Sequence, residues 1–391
     1  MKSRFFAILL GVLALLFTRR AGAEEIVDLY TVGPGSDTFS NYGHSALCVT
    51  DATRPSGICF DFGISDTNDM SSVVWDTIRG RPRFIPISVD LPILVATFKG
   101  QERNIWKQRL PLAPAEADAL AASLDRAVLD KKPYSYEPAY ANCTTQLRDL
   151  LDAASGGKLH QAPTPAPSTP NFRELMEQGF SGRVLELAGV ALFVGWPGEA
   201  RPTGYELMFL PIRLRDTVEA LYGAKPEVVH APGGFFLPTS TIAGRAFLVI
   251  IGLVLGGAVF AGSRSTGKKL RVALWVIGIV FGLLALSVEF MALTCAYPWV
   301  THNLVLLVLL PTDLALGTLR GPRLTRYLAA RLALVAAALA LSRSCSVSRS
   351  SRLRSSPRFP SGWRSSPPAQ RPCQRRPDLC QLAQRKPDKT G

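Results

Sequence analysis

The sequence predicts an exported α+β domain followed by a bundle of membrane-spanning α-helices. Three observations carry that reading. Lys2 and Arg4 precede an apolar run from Phe5 to Phe17 that ends at Ala21-Gly22-Ala23, the charge, apolar core and small-residue order of a secretory signal. From residue 24 to about 240, strand-like and helix-like patterns are mixed rather than repeated. Between 241 and 341 the apolar residues crowd into long stretches, although the mean hydropathy of the 391-residue chain is only +0.16. Arg19 and Arg20 lie between the apolar run and the small residues, so an uncleaved signal anchor over 1–23 stays open beside a cleaved peptide.

Within 24–240, Ser45–Thr50 and Ile58–Gly63 read as short strands. The intervening Asp51-Ala52-Thr53-Arg54-Pro55-Ser56-Gly57 has the chemistry of a turn, so a hairpin is expected. Arg103–Leu112 reads as a strand. Ala113–Leu129 reads as a helix, with Ala117, Leu120, Leu124 and Val128 at helical spacing. Asn142 and Cys143 open another helix, with Leu147, Leu150 and Leu151 on one face and Gly156-Gly157 at its end. Residues 160–170 form a proline-rich loop, and helical stretches return near Phe172–Gln178 and Val184–Val194.

Three stretches have spanning length: Ile242–Ala261, Val272–Thr294 and Asn303–Leu319, the last interrupted by Pro311. Arg264, Lys268, Lys269 and Arg271 mark a cytoplasmic loop after the first, and Arg320, Arg323, Arg326 and Arg331 mark the cytoplasm after the third. Ala329–Leu341 is apolar but short for a span, so the expectation is three spans with a fourth left open. Two acids, Glu289 and Asp313, fall inside these stretches, either as functional groups or as interhelical polar contacts.

The net charge of +14 comes mostly from residues 342–391, which supply +10. This Arg/Ser/Pro-rich tail reads as disordered, and no folded part of the chain carries a nucleic-acid-binding charge pattern. Cys373 and Cys380 lack partners for a zinc site, and no metal or other cofactor is expected.

The chemistry is concentrated in His44 and Cys143. A helix N-terminus offers partial positive charge and unpaired N–H groups, which stabilise a thiolate at Cys143 and an oxyanion beside it. An imidazolium at His44 would lower the thiol further. If the hairpin turn is centred between Thr53 and Arg54, His44 faces Gly63, Ala46 faces Asp61 and Cys48 faces Cys59. His44, Cys48, Cys59 and Asp61 then share one face. Asp61 becomes a diagonal neighbour able to orient the His44 ring, and Cys48 is placed to form a cross-strand disulfide with Cys59. Tyr42, Asn142 and Thr144, flanking the two central residues, are candidates for oxyanion binding or substrate positioning.

At these residues the sequence resembles the bacterial lipoprotein N-acyltransferase Lnb family. The matching pieces are Tyr42-Gly43-His44-Ser45-Ala46-Leu47, Phe60-Asp61-Phe62-Gly63, Tyr134-Ser135-Tyr136, Tyr140-Ala141-Asn142-Cys143-Thr144-Thr145 with Arg148-Asp149, Phe172-Arg173-Glu174-Leu175, Glu206-Leu207-Met208-Phe209-Leu210-Pro211 and His302-Asn303. The resemblance implies a circularly permuted, papain-like thiol domain of the NlpC type in which His precedes Cys. It also implies a reaction in which Cys143 takes an acyl chain from a phospholipid and passes it to the N-terminal amine of a lipoprotein. The enzyme would work at the inner membrane with its catalytic domain in the periplasm. Two alternatives share these residues: a cysteine amidohydrolase or peptidase acting on cell-wall peptides, and a non-enzymatic anchored envelope protein. The Arg/Ser/Pro tail departs from the family's expected membrane ending.

Overall fold

Seven antiparallel strands make one sheet, in the order Tyr134–Ser135, Arg83–Asp90, Ile58–Ser65, His44–Thr50, Ile26–Val32, Ile105–Arg109, Glu227–His230. The computed structural model describes residues 25–351 except 38–39, 164, 167–168, 233–239 and 265–266, with backbone alone for 343–351. The signal segment 1–23 and tail residues 352–391 lie outside the described residues.

The elements follow in chain order. Strands β1 (Ile26–Val32), β2 (His44–Thr50) and β3 (Ile58–Ser65) come first, then helix α1 (Met70–Ile78), β4 (Arg83–Asp90) and α2 (Leu91–Gly100). Next come β5 (Ile105–Arg109), α3 (Pro114–Asp130), β6 (Tyr134–Ser135), α4 (Cys143–Ala154), α5 (Phe172–Gly179) and α6 (Val184–Phe193). The one-turn α7 (Gly204–Leu207), α8 (Pro211–Tyr222) and β7 (Glu227–His230) close the domain. The membrane region holds α9 (Ile242–Ser263), α10 (Gly267–Thr294), the single turns α11 (Pro298–Thr301) and α12 (Val305–Val308), and α13 (Gly321–Ser351).

The expected hairpin forms in the expected register: Leu47 pairs with Phe60, Cys48 with Cys59 and Val49 with Ile58. Alternation then sorts the side chains onto two faces. Leu47, Val49, Phe60 and Phe62 pack with α3, α4 and α8 in the larger core. Ala46, Cys48 and Cys59 pack against α2 through Leu94, Val95 and Phe98. Leu120, Leu124, Leu147 and Leu151 are fully buried in the larger core, and each apolar side chain of that size contributes roughly 1.5–3 kcal/mol on removal from water.

The third membrane helix is not where hydropathy put it. Asn303–Leu319, expected as a span, is broken. One turn at α12 gives way to extended backbone at Leu309 and Leu310, then a 3-10 turn over Pro311–Ala315. Pro311 has no N–H to continue a helix. The broken segment is tolerated because it is covered: it runs along α10, where Gly278 and Gly282 make room. A Cβ on Gly278 would lie 2.6 Å from the Asp313 carbonyl oxygen. The third candidate span is instead Gly321–Ser342 within α13, beside Ile242–Ser263 and Gly267–Thr294. The short stretch Ala329–Leu341 is thus the middle of a longer helix, whose backbone continues to Ser351 into the segment read as disordered tail. The helix-compatible Ala-rich run at 329–340 carries the helix forward.

Asp313 is spent on an interhelical contact. Arg331 Nη2 lies 2.7 Å from Asp313 Oδ2, Arg331 Nε donates to Oδ1 at 3.0 Å, and Tyr327 donates to Oδ1 at 2.6 Å. A charge in an apolar environment demands such a partner. Glu289 is half-buried near the outer end of α10.

Candidate active site

The β2–β3 hairpin sets half of the site. His44 opens β2, and its Nε2 stands 3.1 Å from Asp61 Oδ2 on β3. The approach is that of an ion pair and lies off the line of a good hydrogen bond, since Nε2 has no aligned acceptor. Asp61 is anchored by the Gly63 N–H, which donates to Oδ1 at 2.6 Å. The Phe98 ring packs beside the imidazole with centroids 5.6 Å apart. Gly63 is required by this crowding, because a Cβ there would lie 2.8 Å from His44 Cε1 and 3.2 Å from Asp61 Oδ1.

Helix α4 sets the other half. Asn142 is its N-cap: the side-chain Oδ1 accepts from Thr145 N at 2.9 Å, while Thr145 Oγ1 accepts from Asn142 N at 2.8 Å. Both Asn142 amide hydrogens are committed, to the Pro138 carbonyl at 2.8 Å and the Phe209 carbonyl at 2.9 Å. That side chain therefore clamps the turn before Cys143 and offers no donor to a substrate oxygen. Cys143 and Thr144 occupy the first helical positions, where backbone N–H groups stay outside the helix ladder. Thr144 Oγ1 is fully buried, 3.3 Å from Ser45 Oγ, which ties the start of α4 to β2 next to His44.

His44, whose Nε2 faces Asp61, is the charged group that acts most strongly on Cys143. Burial alone would raise the thiol, but the His44 charge outweighs it and holds Cys143 below 9.0. Burial alone would lower the imidazole, but Asp61 and Cys143 outweigh it and lift His44 well above 6.5. Burial would raise Asp61, yet the His44 charge holds it below 3.8. The three groups therefore favour thiolate, imidazolium and carboxylate together, the charge state of an activated nucleophile.

Tyr42, two residues before His44, is held against the end of α5. Its hydroxyl donates to the Met176 carbonyl at 2.8 Å, and its ring fills the space beside Gly179 and meets Phe180 edge-on. Cys48 and Cys59 form a disulfide directly across the hairpin, leaving Cys143 and Cys295 as the free cysteines among the described residues.

Sequence reasoning missed a second layer. Glu137, completely buried, accepts from Trp299 Nε1 at 2.6 Å and from Ala139 N at 3.0 Å, with Tyr140 N as a third donor. Burial pushes its carboxyl up to about 7 against the pull of those donors. Trp299 belongs to the outer loop after α10 and stacks on Tyr140 at 5.5 Å. Tyr297 of the same loop donates to the Tyr136 carbonyl at 3.1 Å. The available signal was an acid set among aromatic residues, Tyr134-Ser135-Tyr136-Glu137, six residues before the thiol.

Comparison with known proteins adds one finding. Residues 16–178 match the family model described as the Lnb N-terminal periplasmic domain, and that stretch contains His44, Asp61 and Cys143. No curated protein and no solved structure matches the chain.

Proposed function

With an Lnb-type periplasmic domain on a membrane-helix base as the premise, we propose that this inner-membrane protein is a thiol acyltransferase. It moves an acyl chain from a phospholipid to the N-terminal amine of a lipoprotein. The observation that carries the reading is the Cys143–His44–Asp61 arrangement at a helix N-terminus, next to the loop that caps a membrane helix.

In the first half-reaction the Cys143 thiolate attacks the ester carbonyl. The oxyanion that forms is held by the unladdered N–H groups of Cys143 and Thr144. The C–O bond breaks, and the His44 imidazolium gives its proton to the departing lysophospholipid oxygen. In the second half-reaction the lipoprotein α-amine attacks the thioester carbonyl. His44 takes the proton from the amine nitrogen, the C–S bond breaks, and amide and thiolate are left. Asp61 keeps the ring oriented and its charge compensated throughout. The cycle requires no oxidant and no cofactor.

The test is expression in a strain depleted of its own lipoprotein N-acyltransferase, with mass spectrometry of lipoprotein N-termini. The expected result is N-acylated termini with the intact chain and free amines with Cys143→Ala. Free amines with the intact chain would overturn the reading. Release of cell-wall peptides in their place would point to the amidohydrolase that uses the same dyad.

A further inference from the structure

The periplasmic domain carries exposed apolar surface that its own core does not use. On α1, Met70 is 62% exposed, Val74 43% and Trp75 48%, spread over a broad arc of about 140° around a short helix. On α6, Leu185 is 71% exposed and Val184 38%. A soluble domain rarely leaves such residues in water as a group.

Their positions relative to the spanning helices say what covers them. The Trp75 ring lies 6.3 Å from the ring of Phe290, which is itself exposed near the outer end of α10. Just beyond α1, Arg79 O accepts from Ala296 N at 2.8 Å, so the end of α1 is tied to the residues that follow α10. On the other flank, Leu192 and Phe193 of α6 pack with Ala285 and Val288 of α10. Those residues lie six to nine positions inside the outer end of α10 at Thr294, roughly 9–14 Å along its axis. The backbone of Leu187 on α6 fills the space beside Gly244 on α9. The exposed face of α1 thus meets a lipid-facing residue of α10, while α6 packs its buried side against α9 and α10 near their outer ends and leaves Val184 and Leu185 turned away from them.

We infer that α1 and α6 lie in the outer leaflet of the bilayer, with Met70, Val74, Trp75 and Leu185 in contact with phospholipid acyl chains just below the headgroups. Tryptophan is the side chain favoured at that depth, apolar in body and polar at one edge. Helices that lie in the interface in this way bind through apolar area on one face. The consequence is a domain sunk into the membrane surface rather than held above it. The inference rests on the membrane position of α9 and α10 and not on the acyl-transfer reading.

The test uses the full chain in nanodiscs of phosphatidylcholine, plain or brominated near the headgroup end of the acyl chains. The emission of Trp75 is obtained as the difference between wild type and Trp75→Phe. The expected result is strong quenching of that difference by the brominated lipid and little quenching by aqueous acrylamide. In parallel, hydroxyl-radical oxidation of Met70 in the wild-type chain, read by mass spectrometry, is expected to be far slower than that of a water-exposed methionine peptide. Acrylamide quenching of Trp75 without bromine quenching, or rapid oxidation of Met70, would overturn the inference. The Met70 measurement needs no variant and stands even if Trp75→Phe fails to fold.

Discussion

Trp299 Nε1 donates a 2.6 Å hydrogen bond to Glu137 Oε1, joining the loop that caps a membrane helix to the turn that leads into Cys143. The bond couples the thiol turn mechanically to the membrane helices. It also keeps a carboxyl in an apolar place, where its ionised form is costly.

Glu137 should therefore impose a pH dependence on stability. Its carboxyl is raised from 4.5 to about 7 in the fold, so the folded state binds more protons than the unfolded state between those values. Its contribution is full below 4.5 and declines as pH rises to about 7, by roughly 3 kcal/mol at most. Glu137→Gln should abolish that decline; its single amide oxygen can still accept from Trp299, but its NH2 cannot accept from the Ala139 and Tyr140 N–H groups, a cost that is the same at every pH. Thermal unfolding in nanodiscs from pH 5 to pH 8 should show the Tm of the variant gaining on wild type as pH rises. A constant difference would refute the assignment.

The charge state of the site sets a window for Cys143 reactivity. Thiolate is lost as pH falls through the lowered value of Cys143, and imidazolium is lost as pH rises through the raised value of His44. Alkylation of Cys143, followed on its own peptide, should begin at lower pH than that of an ordinary thiol. In His44→Ala the largest opposition to burial is gone and only weaker help from Thr144 and the helix N-terminus remains, so alkylation at pH 7 should slow ~10-fold or more. Asp61→Asn removes a charge that lifts His44, and the alkaline limit of turnover should move to lower pH.

Gly63→Ala tests the packing around the imidazole. The added Cβ would stand 2.8 Å from His44 Cε1, so the ring must move. A misplacement on that scale costs on the order of 100-fold in rate, against about 1–3 kcal/mol of stability for overpacking. The expected outcome is a folded, disulfide-bonded protein with acyl transfer nearly abolished.

The Cys48–Cys59 disulfide lies two strand positions from Asp61 and four from His44. Replacing both cysteines with alanine should lower stability by about 2–3 kcal/mol, as expected for a short closed loop. Chemical unfolding of the two proteins measures this directly. Cys143 alkylation should be little changed, because both cysteines face α2 and neither touches the thiol.

The hairpin was legible from the turn chemistry of Asp51–Gly57 between two short strand-like runs, and its register from a turn centred between Thr53 and Arg54. The start of α4 was legible because Asn142 is a strong cap. Strand β1 was not: every residue from Val27 to Val32 is buried, so a central strand shows no alternation of exposure to read. Helix α1 was hidden because its apolar side chains face outward. Hydropathy found the apolar content of Asn303–Leu319 and the sequence showed Pro311 interrupting it, but not that the backbone turns extended at Leu309 and Leu310 just before the proline. Glu137 was invisible because its partner is 162 residues away.

The Asp313–Arg331 pair constrains how the chain enters the bilayer. Residues 303–319 give the insertion machinery no continuous helix to release sideways, and Arg331 in mid-helix costs roughly 2.5–3.5 kcal/mol if inserted alone. Asp313 compensates the charge of Arg331, and α10 covers the broken backbone. The broken stretch and α13 are therefore expected to be admitted together, already joined by their ion pair, after α10 is in place to receive them.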